Sequence, residues 1–196
     1  MQEEINEAIS IVKQGGVVIF PTDTAFGIGC RMDDADAVQR LFTLRKRPEN
    51  QATPVLVNSV TMAREYLKAI PDAVNDRLLE VYWPGALTVI LPCDTARVPA
   101  LVRGGGDTLG IRMPNHPTTL SLLAGVDVPL LGPSANFHGA KTPYEFTDLD
   151  QELVKLVDFV MPGECIIKQA STVIDCSVIP WKVLRKGAVA LPAKLL

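Results

Sequence analysis

Hydrophobic residues near the N-terminus recur with the spacing of an amphipathic helix. From Ile5 to Val12 they lie at i, i+3, i+4 and i+7, and a glycine pair at 15–16 ends the pattern. The apolar run 17–20 then predicts a buried strand that Pro21 stops. The chain therefore begins with a helix followed by a strand.

The next apolar stripe predicts a second helix, which begins at Asp33 or Asp34 and closes at Pro48. The stripe runs through positions 38, 41 and 42 and includes Arg45 near the helix end. A cation on the buried face of a helix needs an anionic partner or a cleft. Arg45 is therefore a candidate ligand-binding residue, although basic residues at a helix C-terminus also interact favourably with the helix dipole.

Helices and strands continue to alternate along the chain. The pattern predicts helices at 60–69, 72–82, 117–124 and 150–157, and strands at 54–57, 87–91, 109–112, 128–131, 159–161, 172–175 and 183–185. Neither a repeat nor a long linker divides the sequence. We therefore expect a single α/β domain over residues 1–196, with an open, twisted, mixed β-sheet flanked by helices.

Composition excludes several classes of protein. The chain has 196 residues, of which 47% are hydrophobic and 21% charged, so it can bury a core and is not a disordered chain. Its formal charge of −3 argues against a dedicated nucleic-acid coat or membrane-surface protein. The apolar runs are too short to span a membrane, and acids stand where a secretory signal has bases. We expect a cytoplasmic protein.

Cysteine and histidine usage argues against a protein-bound metal. The four cysteines form no C-x-x-C pair, and there are only two histidines. Without an export signal, four reduced thiols are expected. Familiar templates are also missing from the sequence, namely the P-loop, the dinucleotide-binding glycine motif, the zinc-protease motif and the nucleophile elbow.

Polar residues instead cluster just after predicted strands, where open α/β sheets place ligand sites. The segments are 20–27, 109–114, 132–136, 171–175 and 183–187, and a further cluster, 44–48, lies at the C-terminal end of the second predicted helix. Each also has a purely structural interpretation, such as a turn in which threonine and aspartate bond their own backbone. Arg112 in an apolar strand needs either an internal acid or a substrate carboxylate. Arg45 and Arg47 would converge on a polyanion if Pro48 unwinds the helix end.

Taken in order, these segments resemble the YrdC-type family of threonylcarbamoyl-AMP synthases, which begin the threonylcarbamoyladenosine modification of tRNA. The matching strings are FPTDTAFGIGC (20–30), LRKRPENQATPVLV (44–57), YWPGALTVILP (82–92), LGIRMPNHP (109–117), VPLLGPSAN (128–136), STVIDC (171–176) and VLRKGAV (183–189). The resemblance implies an α/β domain with a positively lined cavity, in its short, single-domain form. It also implies the substrates L-threonine, bicarbonate and ATP, with Mg²⁺ carried on the ATP and pyrophosphate as a product.

Site residues follow from the resemblance position by position. Those that match threonine contacts are Thr24, Asn58, Arg112, Gly132 and Ser171. Those that match ATP contacts are Arg47, Thr108, Ser134, Thr142 and Arg185. The residues expected to act in catalysis are Arg45, Arg47, Ser134 and Asn136, and Arg45 stands where the family has lysine.

Three functions stay open at this point. The first is the synthase, whose product would pass to a downstream tRNA threonylcarbamoyl transferase complex, with weak tRNA binding and no membrane contact. The second is a YrdC-like RNA-binding module without this chemistry, and the third is a paralogue that hydrolyses carbamoyl adenylates. The acidic balance and the 6% aromatic content argue against an RNA-stacking platform.

Overall fold

The computed structural model describes residues 2–195. Its α-helices are α1 (Gln2–Lys13), α2 (Ala35–Leu44), α3 (Val60–Arg64), α4 (Asp72–Val74), α5 (Glu80–Tyr82), α6 (Pro117–Val126) and α7 (Gln151–Val154). A π-helical turn, Asn75–Leu79, joins α4 to α5, and 3₁₀ turns lie at Phe146–Asp148 and Ala193–Leu195. The strands are β1 (Val18–Phe20), β2 (Gly27–Gly29), β3 (Val55–Leu56), β4 (Leu87–Pro92), β5 (Thr108–Arg112), β6 (Leu130–Leu131), β7 (Phe159–Val160), β8 (Thr172–Asp175) and β9 (Lys182–Arg185).

Within residues 2–195 the strands form two mixed sheets. One has the order β2-β1-β7 and the other β6-β3-β5-β4-β8-β9. In the larger sheet, central β4 pairs antiparallel with β5 and parallel with β8. The predicted fold class, α/β with open mixed sheet structure, is confirmed. The strands nevertheless form two separate sheets, because β1 pairs with β2 and β7 and with no strand of the larger sheet in the described chain. An isolated bridge between Gly27 and Ser134 connects β2 to the chain that follows β6.

The hydrophobic stripes predicted for the first two helices are buried in the core. Ile5, Ala8 and Val12 of α1 are buried in a cluster with residues of α6. Asp34 caps α2, since its side chain accepts a hydrogen bond from the backbone N–H of Ala37 at 3.0 Å. None of the helices in residues 2–195 has the length and apolar character needed to cross a membrane.

Three predicted helices differ from the structure. The helix expected at 60–69 ends at Arg64, and the one expected at 150–157 ends at Val154. Between residues 72 and 82 the π-turn inserts extra residues into the helical repeat. Positions after it rotate away from the predicted stripe, so Val81 is exposed although the pattern predicts it to be buried.

Strand β2 was not expected from the sequence, because two of its residues are glycines that weaken the strand pattern. Its backbone packs tightly against the larger sheet. A Cβ atom on Gly29 would lie 2.1 Å from the carbonyl oxygen of Leu131. Glycine is therefore required there, and the close approach brings the loop after β1 next to the loop after β6.

Candidate active site

A cavity of about 200 Å³ lies where residues of both sheets meet the C-terminal end of α2. The predicted site residues that line it are Thr24, Arg45, Arg47, Arg112, Gly132, Ser134, Thr142, Ser171 and Arg185. They come from distant parts of the sequence. The structure thus brings most of the expected residues together in one hollow.

The loop after β1 makes a turn and also faces the cavity. The Thr22 hydroxyl donates to the carbonyl of Ala25 at 2.6 Å and accepts from the N–H groups of Thr24 and Ala25. Its single proton is therefore used, so Thr24 must donate in the 3.1 Å contact between the two hydroxyls. Thr24 also accepts from Arg112 Nη1 at 2.7 Å. Its remaining lone pair can accept from a ligand group such as an ammonium or hydroxyl.

Arg112 has an internal acidic partner, which was one of the two alternatives left by the sequence. Its Nη2 is paired with Asp23 Oδ1, and its Nε donates to the carbonyl of Gly85 at 2.9 Å. Both members of the ion pair are buried. Burial lowers the pKa of Arg112, and the charge of Asp23 opposes that shift. These bonds and the one to Thr24 use three of the five guanidinium N–H groups, so Arg112 keeps donors for a ligand.

The C-terminal end of α2 turns two arginines toward the cavity. Lys46 adopts a left-handed conformation with φ of 52°. The backbone N–H of Arg47 then bonds back to the carbonyl of Phe42 at 2.9 Å, which closes the helix. Arg45 and Arg47 would point in different directions on a continuing helix. Their predicted convergence is found, and the turn at Lys46, two residues before Pro48, produces it.

Arg45 is a buried cation that has no carboxylate partner among residues 2–195. Only 3% of it is exposed, and its Nε donates to the carbonyl of Asn136 at 3.0 Å. Its Nη1 is buried and has no hydrogen-bond partner among residues 2–195. Burial, together with the charge of Arg47, lowers the pKa of Arg45 to about 10. The side chain stays protonated at neutral pH and thus presents an uncompensated charge.

Two more cavity arginines bond to backbone carbonyls and form no ion pair with an acid in the described part of the chain. Arg47 is half-buried and donates from Nε to Gln51 at 3.2 Å and from Nη2 to Ala52. Arg185 lies exposed at the edge of the cavity and donates from Nε to the carbonyl of Ser171 at 2.9 Å. Desolvation lowers the pKa of both arginines. Since Asp23 neutralises Arg112, the excess positive charge comes from these two side chains and Arg45.

Ser134 lines the cavity and is oriented by a hydrogen bond to Asn136, which lies outside the cavity lining. The Ser134 hydroxyl donates to Asn136 Oδ1 at 2.5 Å, and the Asn136 amide donates to the carbonyls of Phe137 and Ala140 at 2.9 and 2.7 Å. All the polar atoms of this side chain are thus engaged inside the loop. The loop itself is anchored by the backbone bond from Ala135 to Phe26 at 2.8 Å.

We expect Asn136→Ala to lower the free energy of unfolding by about 1–3 kcal/mol, because it removes the shared partner of Ser134 and two carbonyls. Urea denaturation measures this. Asn75→Ala is the matched control, since the Asn75 amide makes only solvent-exposed bonds to Asp76 and Glu80. Equal effects of the two substitutions would contradict the role given to Asn136.

Three predicted site residues lie outside the cavity lining in the described chain, namely Asn58, Thr108 and Asn136. Asn58 follows β3, and its Oδ1 accepts from the Ser59 hydroxyl at 2.9 Å. Thr108 begins β5 opposite Pro92. Their contacts with substrates stay predictions.

Other lining residues were not singled out as ligand contacts, among them Thr22 and Thr88. Asp23, the partner of Arg112, was also missed. Asp23 precedes Thr24 in the first motif. Because Arg112 needs an acidic partner, the sequence could have been used to predict Asp23 as that partner. Thr88 sits in a strongly strand-like run and carries no such signal.

The described residues contain no group of three or more histidine, cysteine or acidic side chains placed to hold a metal ion. Burial raises the pKa of the Cys30 and Cys176 thiols to about 12 and that of Cys165 to about 11. These thiols are protonated at neutral pH and are weak nucleophiles. The polar groups that line the cavity are guanidinium, hydroxyl and backbone groups.

Comparison with known proteins agrees with this arrangement. Residues 10–187 match the family model of Sua5, YciO and YrdC, which carries the description telomere recombination. The chain belongs to the Sua5/YciO/YrdC family. The resemblance found in the motifs is thereby confirmed.

Relatives within the Sua5/YciO/YrdC family include enzymes longer than this chain. The threonylcarbamoyl-AMP synthase of Bacillus subtilis (strain 168) is 32% identical over 190 residues, which are 95% of this chain and 54% of that protein. The structure of Pyrococcus abyssi Sua5 complexed with L-threonine has a TM-score of 0.90 at 32% identity, over 95% of this chain and 55% of Sua5. Escherichia coli YciO has a TM-score of 0.84 at 28% identity, over 95% and 90% of the two chains. The chain thus spans about half the length of the Bacillus subtilis synthase and of Pyrococcus abyssi Sua5, and most of the length of YciO.

Proposed function

We propose that this chain, acting as one domain over residues 1–196, is a threonylcarbamoyl-AMP synthase. It converts L-threonine, bicarbonate and ATP into threonylcarbamoyl-AMP and pyrophosphate, and is a nucleotidyltransferase. The proposal rests on the cavity and on the family relatives that carry this activity in their names.

One observation carries the proposal, namely the buried Arg45 with its free Nη1. An isolated buried charge costs several kcal/mol unless a ligand compensates it. Guanidinium groups match the oxygens of phosphate in a bidentate geometry. Arg45, Arg47 and Arg185 together supply three positive charges that no acid of residues 2–195 neutralises, which suits the triphosphate of ATP.

The part of the cavity around Arg112 and Thr24 has little net charge and suits an amino acid. Asp23 neutralises Arg112, which keeps free N–H donors for a single carboxylate. Thr24 offers a lone pair to a donor group, such as the hydroxyl or amine of L-threonine. The cavity therefore has a cationic part for the nucleotide and a hydrogen-bonding part for threonine.

The reaction needs no side-chain nucleophile. The threonine amine adds to bicarbonate, and loss of water gives an N-carboxylate. One oxygen of this carboxylate forms a bond to the α-phosphorus, the bond from that phosphorus to the bridging oxygen breaks, and pyrophosphate leaves. The protein holds the anions together and stabilises the charge that gathers on the phosphates. Arg45, Arg47 and Arg185 perform this role, and Mg²⁺ arrives with the ATP substrate.

Ser134 binds a reacting oxygen by turning its O–H from Asn136 Oδ1 to the substrate, since its single proton is otherwise used within the loop. The product passes in the cytoplasm to a tRNA threonylcarbamoyl transferase complex, and the chain itself binds tRNA only weakly. The formal charge of −3 opposes strong contact with a polyanion.

The decisive experiment follows pyrophosphate release from ATP with threonine and bicarbonate both present and with each omitted. Release that requires both substrates is expected. Equal release without threonine would contradict the synthase proposal.

The same protein preparation tests the alternatives. Hydrolysis of preformed threonylcarbamoyl-AMP without its synthesis would identify a carbamoyl-adenylate hydrolase. Tight, steeply salt-dependent RNA binding without pyrophosphate release would identify an RNA-binding module.

A further inference from the structure

Thr88 in the middle of β4 is a buried hydroxyl that faces the cavity. Its Oγ1 lies 2.9 Å from Oγ of Ser171, and this is the hydrogen bond found for its side chain within residues 2–195. Ser171 immediately precedes β8, the parallel neighbour of β4. A buried hydroxyl needs a hydrogen-bond partner, and Ser171 supplies one to Thr88.

The rotamer of Thr88 is fixed by its two neighbouring strands. Its methyl group faces β5, where Cγ2 lies 3.7 Å from the place a Cβ of Gly110 would occupy. Its hydroxyl therefore turns to the other side, toward β8. A β-branched side chain has few alternative rotamers, so this orientation is firmly held.

Counting protons shows what the two hydroxyls present to a ligand. Ser171 Oγ accepts from Arg185 Nη2 at 2.9 Å, and one proton is used between Ser171 and Thr88. Whichever of the two donates, one O–H of the pair remains free, and both residues line the cavity. The pair thus offers one aimed donor to a ligand acceptor such as a carboxylate oxygen.

We propose that Thr88 donates to Ser171 Oγ and leaves the Ser171 O–H free for the amino-acid substrate, so that Thr88 is a positioning residue. The inference rests on the proposed function for the identity of that substrate. Arg185 holds the same serine from the nucleotide side, through Ser171 O and Oγ. Loss of the Thr88 hydroxyl should therefore weaken amino-acid binding. It should leave Arg185 in place, because the bond from Arg185 Nε to the Ser171 carbonyl does not depend on Thr88.

The test compares Thr88→Val, which keeps the shape and removes the hydroxyl, with Thr88→Ser, which keeps the hydroxyl. We expect Thr88→Val to raise KM for L-threonine about tenfold, as for a lost hydrogen bond to a charged group, with kcat and KM for ATP changed less than about threefold. Thr88→Ser should stay within about twofold of the wild type. Thr53→Val is the matched control, because the buried Thr53 hydroxyl has no hydrogen-bond partner in the described chain.

A double-mutant cycle tests whether Thr88 acts through Ser171. In a Ser171→Ala background, Thr88→Val should have no further effect on KM for threonine. An undiminished effect there, or equal kinetics of Thr88→Val and the wild type, would overturn the proposal. If the valine variant fails to fold, Thr88→Ala is compared with Thr88→Ser in the same way.

Calorimetric binding of L-threonine separates this inference from the proposed function. One outcome is that Thr88→Val binds threonine more weakly than the wild type while the wild type releases no pyrophosphate. This would support the role of Thr88 in amino-acid binding and reject the synthase proposal. Normal pyrophosphate release by both proteins with equal threonine affinity would reject Thr88 alone. A wild type that binds no threonine would overturn both.

Discussion

Replacing Arg47 by alanine is expected to lower threonine- and bicarbonate-dependent pyrophosphate release by on the order of 10²-fold, the size found when one preorganised charge partner is lost. Arg47 lines the cavity and is held by the carbonyls of Gln51 and Ala52, and no acidic side chain pairs with it within the described residues. Its charge is therefore available to the developing charge on the phosphates. Initial rates at saturating substrates measure the effect.

Arg97→Ala is the control for this experiment. Arg97 is exposed and lies near Asp94, outside the cavity, so its removal should leave turnover unchanged. The melting temperature of Arg47→Ala without ligands shows whether the loop at 47–52 still folds. A well-folded Arg47→Ala protein with normal turnover would refute the role of this arginine.

Replacing Asp23 by alanine is expected to lower the free energy of unfolding by about 3–5 kcal/mol, because a buried guanidinium then lacks its counter-ion. Asp23 is 2% exposed and Arg112 6% exposed, so little water can take the place of the lost carboxylate. Activity should fall as well, since Arg112 is no longer held beside Thr24. Urea denaturation followed by circular dichroism measures the stability.

Two further variants give this prediction its controls. Asp33→Ala breaks the partly exposed ion pair with Arg31 and should cost at most about 1 kcal/mol. The double variant Asp23→Ala with Arg112→Met removes both charges and should recover much of the lost stability. A loss for Asp23→Ala no greater than that for Asp33→Ala would show that the pair does not stabilise the fold.

Much of the secondary structure could be predicted because local pattern and tertiary packing agree. The stripe of α1, the cap at Asp34 and the β-branched run of β4 follow from spacing and residue type. Strand β2 could not be predicted, because Gly29 is required by the close approach of the Leu131 carbonyl, which only the folded structure shows. The exposure of Val81 depends on a π-turn, which the apolar spacing does not reveal.

The candidate site was predicted through its motifs rather than through its geometry. Arg112 was recognised as a strand arginine in need of an acid, but the choice of Asp23 needed the fold. Arg45 and Arg47 were expected to converge, and the left-handed turn at Lys46 accounts for it. The ordering of Ser134 by Asn136 and the contact of Thr88 with Ser171 depend on side-chain directions that no motif records.

Hydrophobic spacing and motif order are properties of the linear chain, and they were enough to predict the α/β class, the family and the residue types of the cavity. The folded structure was needed to show which arginine is neutralised and which arginines have no acidic partner among residues 2–195. Segments as far apart as Asp23 and Arg112, or Arg45 and Asn136, meet through the pairing of strands and the ends of helices. Charge balance depends on distances of a few ångströms, and these are fixed only when the chain has folded.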